Sequence, residues 1–171
     1  MRVQNFGQAV KLFDWLDKIT LTESGEKLID SIVNSSYSLL IHHSRSAYIS
    51  AGVTGADISD NLINGVGASA YIKFFLDMDD RGSHCVLAMN GRDYIEYTAL
   101  QNLYHELVHA KHKMRGSWLY FDSEGQAIRE ENVFRQEWAK YRFQKAPVLR
   151  YDESDDNPLI LNQNGRCIPL T

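Results

Sequence analysis

The chain has 171 residues, 44% of them hydrophobic and 23% charged, which suits one globular domain and leaves no room for two. Eighteen Lys and Arg against 22 Asp and Glu leave a formal charge of −4, so there is no general basic field to gather nucleic acid or anionic lipid. No run of about 18 apolar residues offers a membrane span. Arg2, Lys11, Asp14 and Asp17 interrupt the amino terminus, which therefore lacks the apolar stretch of a cleaved export signal. Two cysteines, Cys85 and Cys167, do not make a disulfide framework and are expected as unpaired thiols.

In chain order, Ala9, Val10, Leu12, Phe13, Leu16 and Ile19 recur at three- and four-residue steps and predict an amphipathic helix over Phe6 to Ile19. Thr22 offers an N-cap for a second helix, with Leu28, Ile29, Ile32 and Val33 on one face and its end near Asn34. Tyr37 to His43 suits a strand. Ser44 to Gly67, rich in Ser, Gly, Asn and Asp, reads as loop, with Gly65-x-Gly67 as a turn. Ser69 to Asp77 and Cys85 to Met89 flank the turn-forming Asp79-Asp80-Arg81-Gly82 and are expected as two antiparallel strands. From Thr98, Leu100, Leu103, Leu107, Val108 and Ala110 predict a helix ending at Gly116. A further helix is expected from Gln126 to Arg142, followed beyond Pro147 by an acidic, irregular tail.

The third helix carries Tyr104-His105-Glu106-Leu107-Val108-His109-Ala110, which contains the His-Glu-x-x-His pattern. Four residues are just over one helical turn, so both imidazoles reach one ion, while Glu106 is rotated by about 100° beside them. Zinc takes such ligands in tetrahedral geometry and keeps a position open for water, whose proton Glu106 is placed to accept. The helix is apolar elsewhere, and an unpartnered His and Glu buried there would be costly, which favours a metal. A third ligand must come from outside the motif, because His112 and Arg115 stand where a metzincin continuation needs Gly and His. Glu124, Glu130, Glu131 and Glu137 are the candidates, and a spacing of about 20 residues after the second His favours Glu130 or Glu131. His112 falls near the same face as a neighbouring or surface residue.

Four ordered patches carry a family resemblance. They are Thr22-Glu-Ser-Gly-Glu-Lys-Leu-Ile-Asp-Ser-Ile32, Gly65-Val-Gly-Ala-Ser69, His105-Glu-Leu-Val-His-Ala110 and Glu131-Asn-Val-Phe-Arg-Gln-Glu137. From about Thr22 to Arg150 the chain resembles the NleD-like zinc metallopeptidases, bacterial type III effectors and toxin domains more distantly similar to the clostridial neurotoxin light chains. The resemblance implies an α+β zincin-like fold over residues 1–171, with a small, mostly antiparallel sheet packed on the motif helix. It implies Zn2+ and a protein substrate, a host signalling protein. It also implies work in a host or target cell after specialised secretion, while the −4 charge and the lack of an apolar span lead to no expected nucleic-acid or membrane partner, and a monomer is expected. Glu124-Gly-Gln126-Ala127-Ile128 looks like the segment that supplies the family's third ligand, which assigns Glu124 to the metal with Glu131 as the alternative. The family's late Arg-x-x-Tyr pair, associated with oxyanion stabilisation, is similar to Arg150-Tyr151-Asp152-Glu153, where Glu153 stands at the tyrosine position and Tyr151 is displaced. The expectation is therefore a zinc endopeptidase with His105, His109 and Glu124 on the metal, Glu106 as base, and Arg150 and Tyr151 assisting. The rival expectations are a zinc amidase acting on a non-protein or cell-wall substrate, and a catalytically silent effector or binding module.

Overall fold

A computed structural model describes residues 6–44, 52–56, 60–142, 147–151, 160–163 and 166–169. Helix α1 (Phe6–Ile19) buries Leu12, Trp15 and Ile19 at three- and four-residue steps, while Val10 and Phe13 of the expected apolar face are exposed. Helix α2 (Glu23–Val33) starts at Thr22, whose hydroxyl accepts the Gly25 N–H at 3.1 Å, and stops at Asn34. Strands β1 (Leu39–His43), β2 (Gly52–Ala56) and β3 (Ala70–Phe74) form a three-stranded sheet with β3 in the middle, parallel to β1 and antiparallel to β2. On β3, Ala70, Ile72 and Phe74 alternate into the core. Strands β4 (His84–Leu87), β5 (Tyr94–Tyr97), β6 (Ile160–Gln163) and β7 (Arg166–Pro169) form a second, antiparallel sheet in the order β5-β4-β6-β7.

Helix α3 (Ala99–Arg115) runs through the middle of this arrangement. It touches α1, α2, β2, β3 and α4 (Ser123–Tyr141). Its start is a full capping box, in which the Thr98 hydroxyl accepts the Gln101 N–H and the Gln101 side chain accepts the Thr98 N–H. Its end is Gly116, left-handed at φ 65°. Gly67 is needed nearby for a different reason. With φ 86°, it sits so close under α3 that a Cβ there would lie 1.9 Å from the Met114 carbonyl oxygen.

Several expectations are corrected. Ser44 to Gly67 is not all loop: it contains β2 and a 3-10 turn at Asp60–Leu62, while residues 45–51 and 57–59 lie outside the described residues. Gly-Val-Thr-Gly-Ala has little strand propensity of its own and is a strand because it pairs with β3. Ser69 to Asp77 contains β3 and Cys85 to Met89 overlaps β4, yet these two strands do not pair. The linker between them docks instead, since Asp80 accepts the Trp15 indole N–H at 2.9 Å through its side chain and the Ala99 N–H at 3.1 Å through its carbonyl. One expected sheet is thus two, the smaller of mixed direction. The tail is not irregular throughout: β6 and β7 form a hairpin, and the acidic residues 152–159 lie outside the described residues.

Cys85 and Cys167 are joined in a disulfide, with Cα atoms 5.8 Å apart, against the expectation of free thiols. The pairing of β4 with β6 and of β6 with β7 brings together residues 82 positions apart, a proximity no local pattern announces. Replacing both cysteines with alanine should lower the unfolding free energy by about 2–4 kcal/mol through loss of the cross-link. Urea titration of the oxidised wild type against the double variant measures it.

Candidate metal centre

From Asn102 to Ala110 every residue of α3 is buried, so this stretch is enclosed on all sides and its polar side chains must be satisfied within the protein. His105 and His109 lie one turn apart, their rings 4.5 Å between centroids and nearly perpendicular, with the two Nε2 atoms 2.9 Å apart. Glu124 enters from the first turn of α4, where the helix dipole favours a carboxylate. Its Oε1 is 3.0 Å from His109 Nε2 and its Oε2 is 3.2 Å from His105 Nε2. Ligand atoms of the three residues all fall within 4.8 Å of one another. Two imidazole nitrogens facing each other and a carboxylate are a donor set that suits zinc, for which tetrahedral bonds of about 2.1 Å separate ligand atoms by about 3.4 Å. The residues fit the ion with a small opening of the cluster. The Glu124 side chain is 43% exposed, so the cluster meets solvent on that side.

A second set of contacts orients His105 from behind. Its Nδ1 is 3.1 Å from Oε2 of Glu131, which lies seven residues after Glu124 on the same face of α4 and is fully buried. Glu131 also accepts from Arg135 Nε at 2.7 Å and from Arg150 Nη1 at 3.1 Å. Arg150 is held by its backbone, which exchanges bonds of 2.7 and 2.8 Å with the Asn132 side chain. Tyr97 completes the wall: its ring stands edge-on to His105 at 6.3 Å, with the guanidinium of Arg150 at 5.1 Å.

These contacts bias the protonation of the buried groups. Burial opposes a charge on His105, but the hydrogen bonds to Glu124 and Glu131 prevail and hold its pKa at about 9. His109 is pulled below the usual histidine value by burial, against the pull of Glu124. Burial likewise disfavours the Glu131 carboxylate, yet Arg135, Arg150 and His105 together keep it well below the usual carboxylate range. Burial pushes the Tyr97 hydroxyl far up, so it stays protonated.

Glu106 lies on the adjoining face of α3, toward β2, where the Thr54 hydroxyl donates to its Oε2 at 2.6 Å. Lys113, two turns along α3, reaches the Thr54 carbonyl and lies over the ring of Trp118, which in turn packs on His109 at 5.1 Å.

Of the residues singled out from the sequence, His105, His109, Glu124, Glu131 and Arg150 converge, with Glu106 beside them. Glu130 does not join them: it pairs with Lys111 and, at 2.6 Å, with His112. His112 belongs to that outer group together with Ser117 and Gln126. Tyr151 is half-buried and donates its backbone N–H to the Leu87 carbonyl, and Tyr97 stands against both His105 and Arg150. Thr54, Tyr97, Lys113, Trp118 and Arg135 were not anticipated at the site. Helical spacing offered a signal for two of them, since Lys113 is four residues after His109 and Arg135 four after Glu131. Thr54 and Tyr97 carry no such signal.

Neither a protein-family model nor a curated protein matches the sequence. Among solved structures, the fold is similar to the light chain of botulinum neurotoxin serotype HA, with TM-score 0.51 and 11% identity over 86% of this chain and 51% of that one. The catalytic domain of Clostridium botulinum neurotoxin serotype F aligns with TM-score 0.48 and 11% identity, over 78% of this chain and 49% of that one. The chain thus spans about half the length of these structures. The first likeness concerns the fold, and it agrees with the distant similarity to clostridial light chains implied by the sequence patches.

Proposed function

We propose that this chain is a zinc-dependent endopeptidase. The observation that carries the proposal is the convergence of His105, His109 and Glu124 on one point, with the Glu106 carboxylate on the adjoining face of the same helix. His105, His109 and Glu124 would hold the ion. Zinc in such a site lowers the pKa of water to about 7 and polarises a carbonyl. Glu106 accepts the proton of the attacking water and returns it to the departing amine nitrogen. Glu131 holds the Nδ1 side of His105, so that Nε2 is the nitrogen presented to the cluster. Arg150, anchored by Asn132, supplies a fixed positive charge beside His105 for the negative charge that develops on a peptide oxygen. Tyr97, protonated and with its hydroxyl 3.5 Å from Arg150 Nη1, assists Arg150, and the role of Tyr151 beside Arg150 remains part of the proposal. The sequence resemblance supports a host-cell protein as substrate and delivery into that cell by specialised secretion, both of which belong to the proposal.

Metal analysis tests it first. Protein purified without chelator should carry one zinc per chain, and His109→Ala should carry far less. The zinc form should cut members of a mixture of fluorescence-quenched peptides of randomised sequence, and a chelator should stop it. Absence of zinc from the wild type would sink the proposal, whereas zinc without peptide cleavage would favour an amidase.

A further inference from the structure

Thr54 lies on β2 directly opposite Ile72 of β3, whose side chain is wholly in the core. Residues opposite each other across a ladder share a face, so Thr54 points its side chain toward α3. There its hydroxyl is 2.6 Å from Glu106 Oε2 and 3.1 Å from the Glu106 carbonyl. A hydroxyl has one proton to donate, and the shorter contact, to a charged acceptor, is the stronger. Among the described residues no donor is bonded to Oε1 of Glu106, so one carboxylate oxygen is held and the other is presented. The Thr54 carbonyl is also engaged, accepting from Lys113 Nζ at 2.5 Å. Lys113 is in turn confined over the Trp118 ring, with its Nζ 4.1 Å from the ring centroid. Burial lowers the Lys113 pKa, and the charges of Glu106 and Glu124 oppose that shift.

We propose that Thr54 is the positioning residue of Glu106: its hydroxyl fixes one carboxylate oxygen so that the other faces water, and Lys113 fixes Thr54 by gripping its carbonyl. This rests on the endopeptidase reading for its consequence, and on the contacts alone for the coupling between Thr54 and Glu106. The arrangement explains why a short strand with weak propensity is pinned to α3 at that residue. A general base displaced by about 1 Å can cost on the order of a hundredfold in rate, so a device that fixes it has a use.

The test combines a measurement without metal and one with it. In the metal-free chain, the unfolding free energies of Thr54→Val, Glu106→Ala and the double variant form a cycle. If the hydrogen bond couples the residues, the double variant loses less stability than the sum of the two single ones. In the zinc-loaded chain, with a quenched peptide chosen from the randomised mixture, Thr54→Val should lower kcat by about ten- to a hundredfold. KM and zinc content should stay as in the wild type, and Thr54→Ser, which keeps the hydroxyl, should recover kcat to within about threefold. Lys113→Met should lower kcat less than Thr54→Val does. Additive stabilities would overturn the proposal. So would a loss in Thr54→Val that shows in KM or zinc content, or one that Thr54→Ser does not repair. Should the wild type bind no zinc, the endopeptidase reading falls, and the metal-free cycle still decides whether Thr54 holds Glu106.

Discussion

Replacing Glu106 with alanine should leave one zinc per chain and abolish most cleavage, with a loss in kcat of about 10²–10⁴-fold, the contribution typical of a positioned general base. The expectation follows from geometry. Glu106 is on α3 between the two histidines but outside their cluster, and its carboxylate is bonded to Thr54 and not to His105 or His109. The variant therefore removes a proton acceptor without removing a ligand. Zinc content by elemental analysis and turnover of a quenched peptide are measured on the same preparation. Retained activity would refute the role of Glu106, and loss of zinc together with activity would make it a ligand.

Glu124→Ala and Glu131→Ala should fail in opposite ways, although both residues contact His105 from α4. Glu124 is partly exposed and meets both Nε2 atoms, so its removal should empty the metal site and change the stability of the metal-free chain by on the order of 1 kcal/mol or less. Glu131 is fully buried between Arg135, Arg150 and His105. Its removal leaves two guanidinium groups without their common partner, which should cost about 3–5 kcal/mol. Zinc affinity should fall by about 10–100-fold, as for loss of an outer-shell carboxylate, with binding still measurable. The pH dependence has a definite sign. Because the folded pKa of Glu131 lies below its unfolded value, its contribution is present above the unfolded carboxylate pKa and is lost as pH falls toward the folded one. Glu131→Ala should therefore show a shallower loss of stability in acid than the wild type. If Glu131→Ala empties the site while Glu124→Ala keeps zinc, the two roles are exchanged.

The candidate ligands illustrate what could be read from the chain and what could not. His105 and His109 were legible because helical period and a three-residue motif act over one turn, where sequence distance and spatial distance agree. Glu124 was harder. Spacing after the second histidine pointed to Glu130 or Glu131, and only the resemblance pointed to Glu124. The structure brings the Glu124 carboxylate to both histidines, places Glu131 behind His105 and turns Glu130 away to Lys111 and His112. Neighbouring residues on a helix point about 100° apart, so Glu130 and Glu131 diverge, whereas Glu124 and Glu131, seven apart, share a face. That much follows from the helix; which face meets α3 depends on how the two helices pack.

By itself the sequence determined three helices and the body of the fourth, the caps at Thr22 and Gly116, and the pair of histidines with Glu106 beside them, whereas the capping box at Thr98 and the first turn of α4, which carries Glu124, came from the structure. Those read from the sequence all depend on contacts within a few residues along the chain, where side-chain type and period are decisive. Tertiary structure alone decided that two strands flanking a turn join different sheets, that Cys85 meets Cys167, and that Thr54 lies against Glu106 and Tyr97 against His105. Each of these joins residues far apart in sequence through strand pairing or packing around α3, and no local propensity encodes such a meeting.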